Sequence, residues 1–287
     1  MKYKTGLIGI IAVGTFSAQV LMPTAAHADH ASASTTLSAE VRKMIPSGSI
    51  IVPEGANRTP FLSVDMNHNG QFEYVVLYKY KKHGIPHVGA MIFNHQNGHI
   101  QKLWQYAGSN VVMPASISVR DLLKNGKQEV IFKGTIGAMA NYYEILANDN
   151  GHIRPIFNSA AYRLDIGDFN GRGTDELAAW IQNFGDLYNI QMYGWDKSRG
   201  QYQQVPNNKN ARYFRNTVIP YYNALAKTKY GKMMPKVNDY ALALAYYDAG
   251  QYKQSLIEIA SGLKISNNDY PPDSKFLALK KQIERSK

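Results

Sequence analysis

The sequence predicts a mainly β protein, about three small antiparallel sheets, followed by a small α-helical C-terminal domain. Three observations predict it. A short acidic turn occurs three times: Asp65-Met-Asn67-His-Asn69-Gly70-Gln-Phe-Glu73, Asp121-Leu-Leu-Lys-Asn125-Gly126-Lys-Gln-Glu129 and Asp168-Phe-Asn170-Gly171-Arg172-Gly173-Thr-Asp-Glu176. Each copy runs into an apolar stretch, namely Tyr74–Leu77, Val130–Phe132 and Leu177–Trp180, and a turn-then-strand unit used repeatedly implies a modular β architecture. From about residue 211 the apolar spacing changes to that of helices.

Residues 1–28 read as an export signal. Lys2 and Lys4 supply the positive start, Leu7–Met22 is mostly apolar, and Ala26-His27-Ala28 fits a small-x-small cleavage site. Thr15, Ser17 and Gln19 interrupt the apolar stretch and argue against a permanent anchor. Residues 29–46 form a polar lead in which Leu37–Met44 can make one or two helical turns.

Residues 47–206 form the β domain. Val75–Tyr80, His87–Phe93, Ile100–Tyr106, Tyr142–Leu146, His152–Phe157 and Tyr188–Trp195 are rich in aromatic and branched side chains. Asn97-Gly98, Asn125-Gly126, Asn150-Gly151, Asn170-Gly171 and Arg199-Gly200 punctuate them. Asn-Gly between strands suits a type I′ hairpin, where both central residues take positive φ. The acidic turns start at 65, 121 and 168, leaving room for three or four strands in each interval. The later part of the unit also recurs: Ala90–Ile100 parallels Glu144–Ile153, and Tyr193–Tyr202 is a looser third version.

Over roughly 60–205 the chain resembles the FG-GAP, or VCBS, repeats of integrin-like and bacterial extracellular β-propellers. The resemblance implies one propeller-like blade per repeat and an acidic turn that often holds Ca²⁺. The departure is number. Propellers close with four to eight blades, so about three imply an open or incomplete ring, one completed by the strands around Ile50–Val52 and Phe61–Val64, or closure by a second copy through open blade edges.

Residues 211–287 read as helices: Ile219–Tyr230, a run capped by Asn238 or Asp239 and ending before Gly250, Gln251–Ile265, and a last one through Arg285 after Pro271-Pro272. Within 238–265, Leu242, Ala243, Tyr246, Gly250, Tyr252, Ser255, Ile259 and Gly262 resemble the packing positions of a single tetratricopeptide repeat. Its early aromatic is displaced by one, at Tyr240, and Asn267 stands where the closing proline belongs.

With no cysteine, the chain has neither disulfides nor a lipoprotein attachment site. The net charge is +11, and loss of Lys2 and Lys4 leaves +9, which favours anionic partners. Lys79, Lys81, Lys82, His83 and His87 form the densest basic stretch and the candidate binding surface. Calcium takes six to eight oxygens. Asp65, Asn67, Asn69 and Glu73 are the first candidate ligand set, and Asp168, Asn170 and Glu176 the second. Leu123 breaks the middle copy and Arg172 weakens the third. The same Asp and Asn side chains equally serve to hydrogen-bond the turn's own backbone. His83/His87 and His95/His99 are four apart, but on strands that spacing separates the rings by ~13 Å.

Nucleophile elbows, His-Glu-x-x-His and phosphate-binding glycine loops are absent. Ser261-Gly-Leu-Lys264 lacks the companion motifs of a Ser-x-x-Lys enzyme, and nothing in the spacing of Asp165, Asp168, Asp175 and Asp186 selects a glycosidase pair. The expected function is that of a secreted, non-enzymatic binding or scaffold protein of the cell envelope, with a protein or anionic polymer as partner. The alternatives are a secreted metal-assisted hydrolase of a glycan or phosphoester, and an accessory subunit of an extracellular assembly.

Overall fold

A computed structural model describes residues 39–53, 61–96, 99–106, 111–137, 140–266 and 268–286. The expected export segment, most of the polar lead and the Asn97-Gly98 turn lie outside the described residues. Glu40–Lys287 forms one compact unit.

The β region consists of three antiparallel sheets, and the expected mainly β class with a helical C-terminal region is what the chain adopts. After a short helix α1 (39–44), β1 (Ile50–Val52), β2 (Leu62–Val64), β3 (Glu73–Lys82), β4 (Ile85–Gln96) and β5 (His99–Tyr106) form the first. β1 and β2 pair with opposite halves of β3, Ile50–Val52 against Leu77–Lys79 and Leu62–Val64 against Glu73–Val75, so one edge strand is built in two pieces. The second sheet contains β6 (Val112–Arg120), β7 (Glu129–Gly137), β8 (Ala140–Asp149) and β9 (His152–Ala161). The third contains β10 (Arg163–Gly167), β11 (Glu176–Phe184), β12 (Leu187–Asp196) and β13 (Gln201–Val205).

The apolar runs after the acidic turns become β3, β7 and β11, each the second strand of its sheet. They read as continuous apolar runs because they are buried on both faces. In β7, Val130 and Phe132 enter the core shared with the first sheet, which contributes Val75, Leu77, Val88 and Ile92. Ile131 enters the next core with Leu177, Ala179 and Tyr202 of the third sheet. In β11, Ala178 and Trp180 turn the other way, onto helices. The alternation of strand side chains thus stacks the three sheets and the helical region in chain order.

Close approach of a side chain fixes one glycine. Tyr78 lies over Gly89 of the neighbouring strand, where a β-carbon would meet the phenol ring. Asn150 and Gly151 both have positive φ, 52° and 91°, as the I′ hairpin predicts.

The helical region opens as one winding run: a 3-10 turn Asn207–Asn210, α2 (Ala211–Tyr213), a π-turn Phe214–Val218 and α3 (Ile219–Leu225). α4 (Lys229–Met233), α5 (Pro235–Asp248), α6 (Tyr252–Gly262) and α7 (Asp273–Arg285) follow. Boundaries differ from the sequence expectation, and α6 ends at Gly262 instead of the expected Ile265. The helix expected over Ile219–Tyr230 stops at Leu225, and the Thr228 hydroxyl accepts from Gly231 N to cap a new one. α5 starts at Pro235, one turn before Asn238, because proline's fixed φ suits a first helical position. Asn238 is instead buried, donating to the Gly231 carbonyl at 2.7 Å. Ser255 Oγ donates to Ala243 O at 2.7 Å, joining α6 to α5, and Gly262 leaves room for the Phe276 ring of α7. Lys236 is 1% exposed, and its ammonium reaches both Asp273 and the Ser266 carbonyl at 2.8 Å.

Candidate functional site

The three acidic turns share one hydrogen-bond scheme. The first-position Asp accepts from the backbone N–H groups of positions five and six: Asp65 from Asn69 and Gly70, Asp121 from Asn125 and Gly126, Asp168 from Arg172 and Gly173. Positions four and six are left-handed each time. They are His68 and Gly70, Lys124 and Gly126, and Gly171 and Gly173. The ninth-position Glu, first residue of β3, β7 or β11, accepts from the N–H of position two: Met66, Leu122 or Phe169.

The turns also bond to one another. Gln128 N donates to Met66 O at 3.0 Å, and Asp175 N donates to Leu122 O at 2.8 Å, at matching positions of successive units. Met66 and Leu122 are fully buried beneath these bonds. Asp175, 2% exposed in its side chain, holds Arg120 at 2.8 Å and Lys124 at 3.4 Å. The three turns therefore form a ladder that joins sheet to sheet.

This arrangement bears on calcium. Asn67 Oδ1 accepts from Asn69 N, and Asn69 Oδ1 from Gln71 N. Glu73 is buried, and its two carboxylate oxygens accept from Met66 N and Asn148 Nδ2. In the third turn Asn170 Oδ1 accepts from Arg172 N, and Glu176 accepts from Phe169 N, Asn170 N and the Asn170 amide. In both sets the side-chain oxygens accept from the turn's own amides, the hydrogen-bonding role that Asp and Asn serve in such turns. Among the described residues, no group of three or more His, Asp and Glu is disposed to hold a metal.

Burial pushes all three glutamates above the usual carboxylate range, with amide donors opposing the rise. Glu129 goes furthest, to about 7. All three face the like charge of their turn's first Asp, and Glu73 and Glu176 each gain a side-chain amide, from Asn148 and Asn170.

The basic stretch lies on the β3–β4 hairpin. Lys79, Lys81, Lys82 and His83 are exposed, and His83 and Gly84, at φ 52° and 79°, make its two-residue turn. None of these lysines is in an ion pair among the described residues. His87 does not join them. It is 8% exposed, pairs with Tyr80 across the strands and packs its ring 5.5 Å from the Tyr80 ring, because strand alternation turns it to the buried face.

A concavity of about 500 Å³ lies between the third sheet and the helices. Tyr188 and Ile190 of β12 form one wall, Phe214 and Tyr222 the floor, and Tyr240 and Tyr247 of α5 the other wall. Asp248, at the end of α5, supplies a carboxylate, to which Asn207 Nδ2 donates at 2.9 Å. Burial pushes this carboxyl up to about 6, the Asn207 bond opposing. Beside the cleft, Trp180 Nε1 donates to Tyr213 Oη at 2.6 Å and Tyr213 Oη donates to Asp165 at 2.5 Å. Arg163 pairs with the same carboxylate at 2.9 Å and lays its guanidinium 3.8 Å above the Trp180 ring.

The sequence pointed to the turns and the hairpin but not to Asp248 or the cleft. No helix among the described residues is long and apolar enough to cross a membrane. No protein-family model matches the chain, and no curated protein matches it.

Proposed function

We propose that the chain is an exported, non-enzymatic binding protein of the cell envelope, built on FG-GAP-like units, whose exposed cations engage an anionic polymer. One observation carries the reading: the two signs of charge are buried unequally. Among the described residues, Glu73, Glu129, Glu144, Asp175 and Glu176 are buried, against Lys236 alone of the lysines and arginines. The outer surface is thus more basic than the net charge of +11 conveys. The β3–β4 hairpin concentrates that excess, with three unpaired lysines beside the exposed apolar Ile50 and Ile85.

Such a surface attracts polyanions through a long-range field that salt screens. The test is co-sedimentation of the protein lacking residues 1–28 with isolated envelope of its source organism. Bound protein is expected to fall steeply between about 50 and 500 mM salt, as screening shortens the reach of exposed charges. Replacing Lys79, Lys81 and Lys82 together with Gln should remove most low-salt binding. Absence of binding at low salt, or binding indifferent to salt, would overturn the proposal.

A further inference from the structure

The cleft between the third sheet and the helices carries chemistry that the basic hairpin does not explain. Its one carboxylate, Asp248, is at the end of α5 and receives a single side-chain donor from the protein, Asn207 Nδ2, whose other contact is the Ile190 carbonyl. Among the described residues, no lysine or arginine pairs with Asp248. Asp248 is half-buried, and a partly desolvated carboxylate without a countercharge gains from a cation brought by a ligand. The surrounding side chains suit such a cation. Tyr188, Tyr222, Tyr240, Tyr247 and Tyr270 all line the cleft, and aromatic faces attract ammonium groups. The volume of about 500 Å³ lies within the range of small-molecule sites. A π-turn, Phe214–Val218, contributes Phe214 and Val218 to the lining, and π-turns in helices frequently mark functional positions.

We infer that this cleft binds a small organic cation, an ammonium group on an apolar or aromatic body, with Asp248 as its counter-ion and the tyrosines as its walls. The site is separate from the proposed polymer surface and stands or falls without it. Lys275 of α7 is the other charged side chain lining the cleft, and its like charge opposes a cation placed beside it. Tyr188 and Tyr222 are pushed upward by burial and remain neutral at physiological pH. The carboxylate of Asp248 is therefore the group that titrates on binding, and the cation requires its ionised form.

The experiment compares two probes by calorimetry on the protein lacking residues 1–28: tyramine, and 4-ethylphenol, which has the same ring but no ammonium. At pH 7.5 tyramine should bind about tenfold more tightly than 4-ethylphenol, the worth of one partly buried charge pair. With the carboxyl titrating at about 6, ionisation falls about tenfold between pH 7.5 and 5, and tyramine affinity should fall with it. Asp248→Asn should abolish the preference for the amine while leaving 4-ethylphenol binding unchanged. Equal affinity for both probes, an amine preference that persists at pH 5, or no saturable binding of either would each overturn the inference. The pH comparison uses the unaltered protein, so it decides the matter even if the variant fails to fold.

Discussion

The junctions between sheets and the junction between the last sheet and the helices solve the same burial problem differently. Between the first and second sheets, and between the second and third, an apolar core is bordered by one repeated backbone bond, Gln128 N to Met66 O and then Asp175 N to Leu122 O. Against the helices, the third sheet presents Trp180 and Tyr188, and a polar chain runs from Trp180 through Tyr213 to Asp165 and Arg163. The third turn follows the change. Its second-position residue, Phe169, is half-buried and packs 4.4 Å from the Tyr213 ring, where Met66 and Leu122 are fully buried. A junction that recurs unchanged serves assembly. The one that occurs once, with unlike partners, leaves a cleft of about 500 Å³, and unlike surfaces fitted together leave room that like surfaces fill.

That contrast can be broken most forcefully at Leu122. Leu122→Ala opens a void within the ladder and should cost about 2–5 kcal/mol in chemical unfolding, the range of buried leucine truncations. The equivalent change at half-buried Phe169 should cost less; the reverse order would mean that the ladder does not hold the sheets together.

Next in size is Tyr213→Phe at the unique junction. It leaves the Trp180 indole N–H and the Asp165 carboxylate each short of a partner, for an expected loss of about 1–3 kcal/mol. Thermal melts of the variant would show a change within error if the hydroxyl were dispensable.

The smallest effect separates the three glutamates of the ladder. Glu129 titrates at about 7 in the folded chain, above its unfolded value of 4.5, so the fold holds this proton more tightly than the unfolded chain does. The associated stability is complete below pH 4.5 and is lost as pH rises through about 7, amounting to about 1–3 kcal/mol. Glu129→Gln should remove this loss, so the melting temperature of the variant should gain on the parent as pH climbs from 4.5 to 7.5. A constant difference across that window would place the Glu129 proton elsewhere.

Much of this was legible in the residues. Strict spacing of Asp, Gly and Glu in the three turns, followed by apolar runs, marked the unit and the strand buried on both faces. The turn's own hydrogen bonds were legible too, since Asp and Asn at those spacings reach amides a few residues on. The ladder was not. It joins backbone atoms of Gln128 and Met66, and of Asp175 and Leu122, and a main-chain bond leaves no mark on which side chain stands there. Left-handed His68 and Lys124 were equally silent, because only the third copy has glycine, Gly171, at that position. Proximity along the chain groups His87 with the basic stretch, whereas its register against Tyr80 places it inside.

The sequence by itself determined the class of fold, the acidic turns that precede the buried strands, the change from strand to helix near residue 211 and the excess of positive charge. These follow from local chemistry: turn residues, the two-residue alternation of strands, helical periodicity and ion counting. Only the tertiary structure decided which carboxylates are buried, that β1 and β2 share one edge of β3, and that Asp248 meets Asn207 and the tyrosines in a cleft. The residues of that cleft extend from Ile181 to Gln282, and what brings them together is the packing of helices onto a sheet, a long-range outcome with no local signature.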